Sequence, residues 1–504
     1  MFVLHSLERY MSSRRKTEQP INIFKGMRNK RGLLAVLLLS FCMLTMAEDG
    51  VRLRGCRPKA FKKDVPFSHV ARRAGGTTPY IGDRHQLVVL VSFSDQSFKD
   101  PDPLPLWNRI FNEPNFNQSP FVGSVYDYFY AQSYGQFSLT FDLYHVPLNE
   151  SRAKYRSTQA DDENSKYLVH DIVDVLETKG IDWSQYDWDG DGYIDQLLIV
   201  YAGKGMNAGG DSNTIWPHQW WLSQHDDTTT RTVTSGNNSY ILDCYCCVQE
   251  FIRDDYSSFG TICHEYSHCL GLPDFYVGNT MYVYKWDLMD YGNNNGNGYC
   301  PCNYSAHERM LMGWLAPTEL TDATTITQLP ALSDEPQAYL IRNDGYENEY
   351  YIVENRRQQG WDRDIPGNGI VVFHVDYDKD VWTGIDDMPN WGTNKRYTIV
   401  PANNKSATSS ASGWAYPYGD NDQLTNESSP AATLIHANTD GTKLMSKPLT
   451  NMSVTGGIAS FDFMGGATGL FEQKAVRQPE ILYDFGPIYI IRSTNGETKK
   501  VMKH

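Results

Sequence analysis

The chain is 504 residues long, room for about two or three domains of ordinary size. Its 45 Lys and Arg face 60 Asp and Glu, a net charge of -15, which argues against a nucleic-acid partner and suits a soluble secreted protein. Of nine cysteines, Cys42 falls in an apolar leader; the even remainder (Cys56, Cys244, Cys246, Cys247, Cys263, Cys269, Cys300, Cys302) suits disulfides in an oxidising compartment, with buried free thiols as the other reading.

Residues 1–47 read as a leader. Residues 1–26 carry no pattern. From Met27, the expected true start, Arg28, Lys30 and Arg31 give a positive region, Leu33 to Leu44 an apolar one, and Thr45-Met46-Ala47 a small-residue cleavage site. That apolar run is short for a membrane span and no other stretch could cross, so the mature chain is expected to be secreted, extracellular or at the cell surface, with no integral span. Residues 48–84 are basic and read as the short propeptide of a zymogen. Two readings of Cys56 stand open: a thiolate that caps a metal, or an ordinary disulfide partner.

Residues 85–316 read as one domain in which strands and helices alternate. Leu87 to Phe93 is an apolar run of strand length, and Phe137 to Leu143 alternates as a strand does. Ser119 to Ser133 and Tyr167 to Leu176 read as helices, and Gln196 to Tyr201 as another buried strand. Before that strand lies Asp187-Trp-Asp189-Gly-Asp191-Gly192-Tyr193-Ile-Asp195. Close-set carboxylates repel unless a cation sits among them, and Gly192 permits the sharp turn of a calcium loop, with the Tyr193 carbonyl as a further oxygen. The twelfth position is Leu198 rather than Glu and the loop runs into a strand, so an EF-hand is excluded; an acidic turn that binds nothing is the bland alternative.

The chemistry concentrates in Thr261-Ile-Cys-His264-Glu265-Tyr-Ser-His268-Cys-Leu-Gly271-Leu-Pro-Asp274. On a helix, His264 and His268 share one face and can grip one zinc ion, while Glu265 stands beside the metal, placed to take a proton from a zinc-bound water. Gly271 can end the helix at positive φ, Pro273 keeps it from resuming, and the turn can bring Asp274 back as a third ligand. The result is H-E-x-x-H-x-x-G-x-x-D, the metzincin pattern with Asp in the last place. Asp287-Leu-Met289-Asp290-Tyr291 puts a Met in a tight segment just downstream, as a Met-turn would.

These motifs resemble the immune-inhibitor-A-like metallopeptidases, a secreted bacterial branch of the metzincins (cowrin type). The likeness is carried by His264 to Tyr276, Trp286 to Met289 and Ser305 to Leu315. Further support lies in Val125 to Phe129, Ser133-Tyr134-Gly135, Ile215 to His218, Glu349 to Arg356 and Gly367 to Ile370, so the resemblance spans roughly residues 85–465. It implies an α+β fold: a metzincin-like catalytic domain, with a mixed twisted sheet and an active-site helix, followed by an all-β domain. It implies a metalloendopeptidase with Zn2+ on His264, His268 and Asp274, Glu265 as general base and acid, Met289 as an apolar floor, and protein or peptide substrates met as a monomer. Tyr291 stands where some metzincin families place a Tyr that binds zinc or steadies the oxyanion, and is carried as a catalytic candidate. His218 either lines the cleft or packs.

Residues 317–465 alternate short strand-like runs with Gly, Pro, Asn and Asp turns and read as a β-sandwich-like domain. Residues 466–504 end in alternating apolar residues around Asn495-Gly496, a terminal hairpin that resembles the end of a type IX secretion sorting tail. Two rival functions stand beside the peptidase. One is a zinc hydrolase of another amide bond; the other is a surface adhesin or glycan-binding protein with a vestigial metal site, which an intact Glu265 argues against.

Overall fold

The computed structural model describes residues 80–466 except 159–161, 226–229, 253–254, 257 and 383–387, together with the backbone of three strands between 480 and 502. The leader, the propeptide as far as residue 79, Cys56 and the Asn495-Gly496 turn lie outside the described residues.

Among the described residues the first half of the chain supplies eight strands: β1 (Gly82–Ser92), β2 (Phe137–Pro147), β3 (Tyr193–Ile194), β4 (Leu197–Lys204), β5 (His218–Trp221), β6 (Arg231–Ser235), β7 (Asn238–Leu242) and β8 (Cys244–Phe251). Five of them form a mixed sheet in the order β2-β1-β4-β8-β5, parallel except for the outer strand β5, which runs antiparallel to β8. β3, β7 and β6 make a small second sheet. β1 starts at Gly82, before the ordered text expected from His85, and the Trp314 indole donates to the Tyr80 carbonyl at 2.7 Å.

Helices cover both faces: α1 (Leu104–Asn112), α2 (Val125–Gln132), α3 (Ser165–Glu177), α4 (Phe259–Cys269) and α5 (Ala306–Leu311). Side chains alternate across a strand, so β1 feeds two cores. Leu87, Val89 and Val91 join Leu168, Ile172 and Val173 of α3, whereas Val88 and Leu90 join Phe259, Ile262 and Tyr266 of α4 on the other face. Strands buried on both faces explain the unbroken apolar text of β1 and β4. α2 begins at Val125 rather than Ser119, because Ser124 and Asp127 form a capping box that fixes its start.

The second half is mostly strands, with one short helical turn at Lys379–Trp382: β9 (Thr318–Glu319), β10 (Thr324–Leu329), β11 (Tyr339–Asn343), β12 (Tyr346–Arg356), β13 (Gly369–Asp376), β14 (Tyr397–Ile399), β15 (Leu449–Thr455) and β16 (Ile458–Phe463). β14-β13-β12-β11-β9 form one sheet and β10-β16-β15 another. Tyr339, Tyr351 and Val372 of the larger sheet pack with Leu449, Phe461 and Phe463 of the smaller. The opposite face of the larger sheet, with Ile352, Phe373 and Tyr397, belongs to the same core cluster as α4. One core thus runs across residues 316 and 317, where the helical text gives way to strands. Buried charge crosses there too. Arg356 of β12 donates to Glu354 and makes a two-pronged contact with Asp362, while Asp362 and Glu354 accept the backbone N–H groups of Asn303 and Ala306 at the entrance to α5. The terminal strands β17 (Glu480–Asp484), β18 (Ile488–Arg492) and β19 (Thr498–Met502) pair antiparallel in that order.

The expected disulfides are not found among the described residues: Cys244, Cys246, Cys247, Cys263, Cys269, Cys300 and Cys302 are buried free thiols. Each is packed in the interior, and burial pushes the Cys246 thiol up.

Candidate metal centre and active site

Helix α4 brings His264 and His268 to one face, with ring centroids 4.8 Å apart. Its end is a Schellman turn: the Gly271 N–H donates to His268 and the Leu272 N–H to Ser267, with Gly271 at φ 99°. Any side chain would be strained at that φ. The chain then reverses, and the Phe275 N–H donates to the Met289 carbonyl at 2.9 Å. Asp274 is thereby carried back over the helix end.

The two imidazoles are held in one tautomer. His264 Nδ1 meets the Leu288 carbonyl at 3.0 Å, and His268 Nδ1 meets the Leu272 carbonyl at 2.6 Å. A carbonyl can only accept, so each Nδ1 carries the hydrogen and each Nε2 of the neutral ring presents a lone pair. Both Nε2 atoms face Asp274 Oδ1, at 3.1 and 3.3 Å. That buried oxygen has no hydrogen-bond donor among the described residues. Three electron-pair donors within 4.8 Å of one another, all enclosed, are a cradle for a cation. Without one, protons must fill the gap. Burial would depress His264 and His268, but the Asp274 carboxylate outweighs it and holds both above their ordinary value. Burial likewise works against the Asp274 anion, and His268 and His264 override it, keeping that carboxyl well below the usual range. Two nitrogens and one carboxylate oxygen match the donor set and the three-ligand geometry of a catalytic zinc site.

Glu265 lies beside the cradle and is buried. Burial first, then the Asp274 and Asp162 charges, push its carboxyl up to about 8, against the pull of His264 and of the Gln219 N–H that donates to it. Gln219 sits on β5, the outer strand of the large sheet, which packs alongside α4. His218, next on that strand, donates or accepts within a polar group behind it: Nδ1 lies 2.7 Å from the Trp216 carbonyl, and Nε2 3.2 Å from both Ser165 Oγ and the Tyr245 hydroxyl.

Met289 is fully buried in a turn anchored by two carboxylates. Asp287 Oδ1 accepts the Met289 N–H at 2.8 Å, and Asp290 Oδ2 accepts the N–H groups of Tyr282, Val283 and Tyr284. Tyr291 is buried and stacked face to face on Tyr284, ring centroids 5.7 Å apart. Among the described residues the Tyr276 ring lies 6.3 Å from that of His264, tilted by 26°. Sequence reasoning passed over Tyr276; its one signal was its place two residues after Asp274.

The acidic loop brings Asp187, Asp189 and Asp191 together, with one carboxylate oxygen from each within 4.8 Å of the others. Asp187 Oδ1 accepts the N–H groups of Gly190 and Asp191, and its Oδ2 that of Gly192. Tyr193 opens β3, its N–H on Asp191. Asp195 stands outside that trio and accepts the Trp188 N–H at 2.6 Å.

Residues 86–313 match the family model for the immune inhibitor A peptidase M6 catalytic domain. That likeness supports a metallopeptidase of the immune inhibitor A type over the matched residues. Among curated proteins, an immune inhibitor A from Bacillus thuringiensis subsp. alesti is 25% identical over 295 residues, 49% of this chain and 41% of that protein. The pre-pro-metalloprotease PrtV of Vibrio cholerae serotype O1 is 28% identical over 180 residues, 30% of this chain and 19% of that protein. The chain therefore spans less than half the length of the relatives it matches. The M6 match encloses the His264–Asp274 cradle, Glu265 and the Met289 turn, and ends inside the region where the core passes into the second half. Among the described residues no helix is long and apolar enough to cross a membrane.

Proposed function

We propose that this chain is a secreted zinc-dependent endopeptidase that hydrolyses peptide bonds in proteins. Zinc would be held by His264, His268 and Asp274, and when bound it supplies a Lewis acid that lowers the pKa of water to about 7. Glu265 would serve as the general base, taking a proton from the attacking water and returning it to the departing amine nitrogen. The observation that carries the reading is the convergence of two fixed-tautomer Nε2 atoms on a donorless Asp274 oxygen, with a buried Glu265 beside them. Among the described residues β5 is the end strand of the large sheet and borders α4, so an extended peptide would lie along it. Met289 supplies an apolar floor, and Tyr291 is kept as a candidate for steadying the substrate oxygen.

The same reading divides the chain into a metzincin-like catalytic domain, 85–316, a sandwich-like domain, 317–465, and a terminal hairpin, 466–504, behind a signal peptide and a short propeptide. It places Ca2+ in the Asp187–Asp191 loop, supported by the carboxylates gathered there. The decisive test is Glu265→Gln. Gln preserves the shape but is no base, so peptidase activity should fall at least ~10²-fold while zinc content and melting are kept. Near-normal activity in the zinc-loaded variant would remove Glu265 from the reaction. An unbiased peptide library, assayed with and without chelator, separates an endopeptidase from a hydrolase of other amide bonds and from a glycan-binding protein.

A further inference from the structure

The Leu288 carbonyl that orients His264 belongs to the Asp287–Asp290 turn, and that turn is not self-supporting. Asp287 is fully buried. Its Oδ1 accepts the Met289 N–H, and its Oδ2 accepts the hydroxyl of Tyr397 at 3.0 Å. Tyr397 lies on β14, more than a hundred residues downstream in the strand-rich half, and its hydroxyl is also 2.8 Å from Ser305 Oγ, the N-cap of α5. Glu308, three residues on, accepts from the Ser305 N–H and side chain. Its other oxygen is buried and has no donor among the described residues. Burial pushes both the Asp287 and the Glu308 carboxyls up, the Asp287 charge adding to the rise at Glu308.

We infer that Tyr397 is a positioning residue for the zinc ligand His264, acting through Asp287 and the Leu288 carbonyl. The second half of the chain thereby completes the metal centre. The geometry is continuous: the β14 hydroxyl fixes Asp287, Asp287 fixes the turn on either side of Leu288, and the Leu288 carbonyl fixes the tautomer and aim of His264. A partner that holds a ligand's far nitrogen tunes metal affinity as well as orientation. The Tyr397 ring is clamped in its turn by Phe275, the residue after Asp274, with centroids 4.0 Å apart, so the same side chain touches the segments of two ligands.

The inference rests on the zinc-site reading above, and the experiment separates the two. Zinc affinity is measured by chelator competition on the full chain, without substrate, for wild type, Tyr397→Phe and Tyr351→Phe. Tyr351 is the control: it is buried in the same sheet on the opposite face, and its hydroxyl donates to the Thr433 carbonyl, away from the Asp287 turn. Tyr397→Phe should weaken zinc binding by about tenfold or more, the usual scale for such partners. Tyr351→Phe should leave the affinity unchanged at a similar drop in the melting temperature of the metal-free protein. Equal affinities in wild type and Tyr397→Phe, or equal losses in both variants, overturn the inference. If Tyr397→Phe does not fold, Asp287→Asn is read in the same way and with the same expectation. A chain with this pattern of affinities but no peptidase activity refutes the peptidase and leaves the positioning role standing. A wild-type chain that binds no zinc ends both.

Discussion

His264 and His268 each have Nδ1 committed to a backbone carbonyl, and among the described residues it is Asp274 Oδ1 that faces both rings. Asp274→Ala should therefore cost zinc affinity steeply, and a variant that keeps full occupancy under dialysis would point to another third ligand. The His264/His268 spacing was legible because four residues on a helix bring side chains to one face. The Leu288 and Leu272 carbonyls were not, since any residue offers a carbonyl and only the fold decides which one arrives. His307 shows a further limit. No pattern marks it, yet it is fully buried among Tyr350, Tyr377, Trp382 and Tyr397, with Nε2 lacking a partner, and burial drives its pKa down to about 3. A histidine held below its unfolded value near 6.5 lends full stability above that pH and loses it as the pH falls towards 3, because the unfolded chain takes up the proton first. At pH 5 the loss is about 2 kcal/mol. Asp287 and Glu308, whose carboxyls are raised chiefly by burial, act in the opposite sense, so the readout is a difference. The fall in melting temperature from pH 7 to pH 5 should be smaller in His307→Leu than in wild type, and identical slopes would show that His307 does not titrate with unfolding.

At the scale of elements, the apolar runs predicted as strands became β1, β2 and β4, and the runs after residue 317 became β11, β12, β13 and β16. The stretch from His218 to Phe251 escaped because its strands are short and carry His, Trp, Gln and Cys rather than an alternating pattern. Their identity comes from pairing: β5 is a strand because β8 lies beside it. α1 was missed for a related reason, being brief and flanked by prolines. The acidic loop is the element whose ligand is most readily tested. Its carboxylates are gathered around a turn that Gly190 and Gly192 make at positive φ. Asp189→Asn with Asp191→Asn should abolish any rise in melting temperature on adding calcium to chelated protein. Binding to the native state alone is worth about 2.7 kcal/mol at a hundredfold excess over the dissociation constant. A wild-type transition indifferent to calcium would leave the loop as a plain acidic turn.

Over the whole molecule, the sequence text changes sharply near residue 317, and that change is real at the level of elements: strands mixed with long helices before it, mostly strands after it. It does not mark a break in packing. Leu340, Ile352, Val371, Phe373 and Tyr397 lie in one core cluster with Phe259, Ile262, Met289 and Met310, and the Arg356–Asp362 contact reaches back to Asn303. Composition reports what each segment prefers locally, whereas a two-faced sheet shared between halves is visible only once both are folded. A fragment ending at residue 316 would expose the apolar surface that this sheet covers. Each large side chain uncovered costs about 1.5–3 kcal/mol, so a handful exceeds the ~5–15 kcal/mol that holds a domain together. The fragment would also strip Asp287 of Tyr397 and leave buried carboxyls without their donors. It should therefore show no sharp thermal transition, weak near-ultraviolet circular dichroism and zinc affinity far below that of the full chain, although it contains the M6 match and every expected zinc ligand. A cooperatively melting fragment with undiminished zinc affinity would mean that the second half is an appendage, and that the contacts of β14 with the metal turn are incidental to holding it.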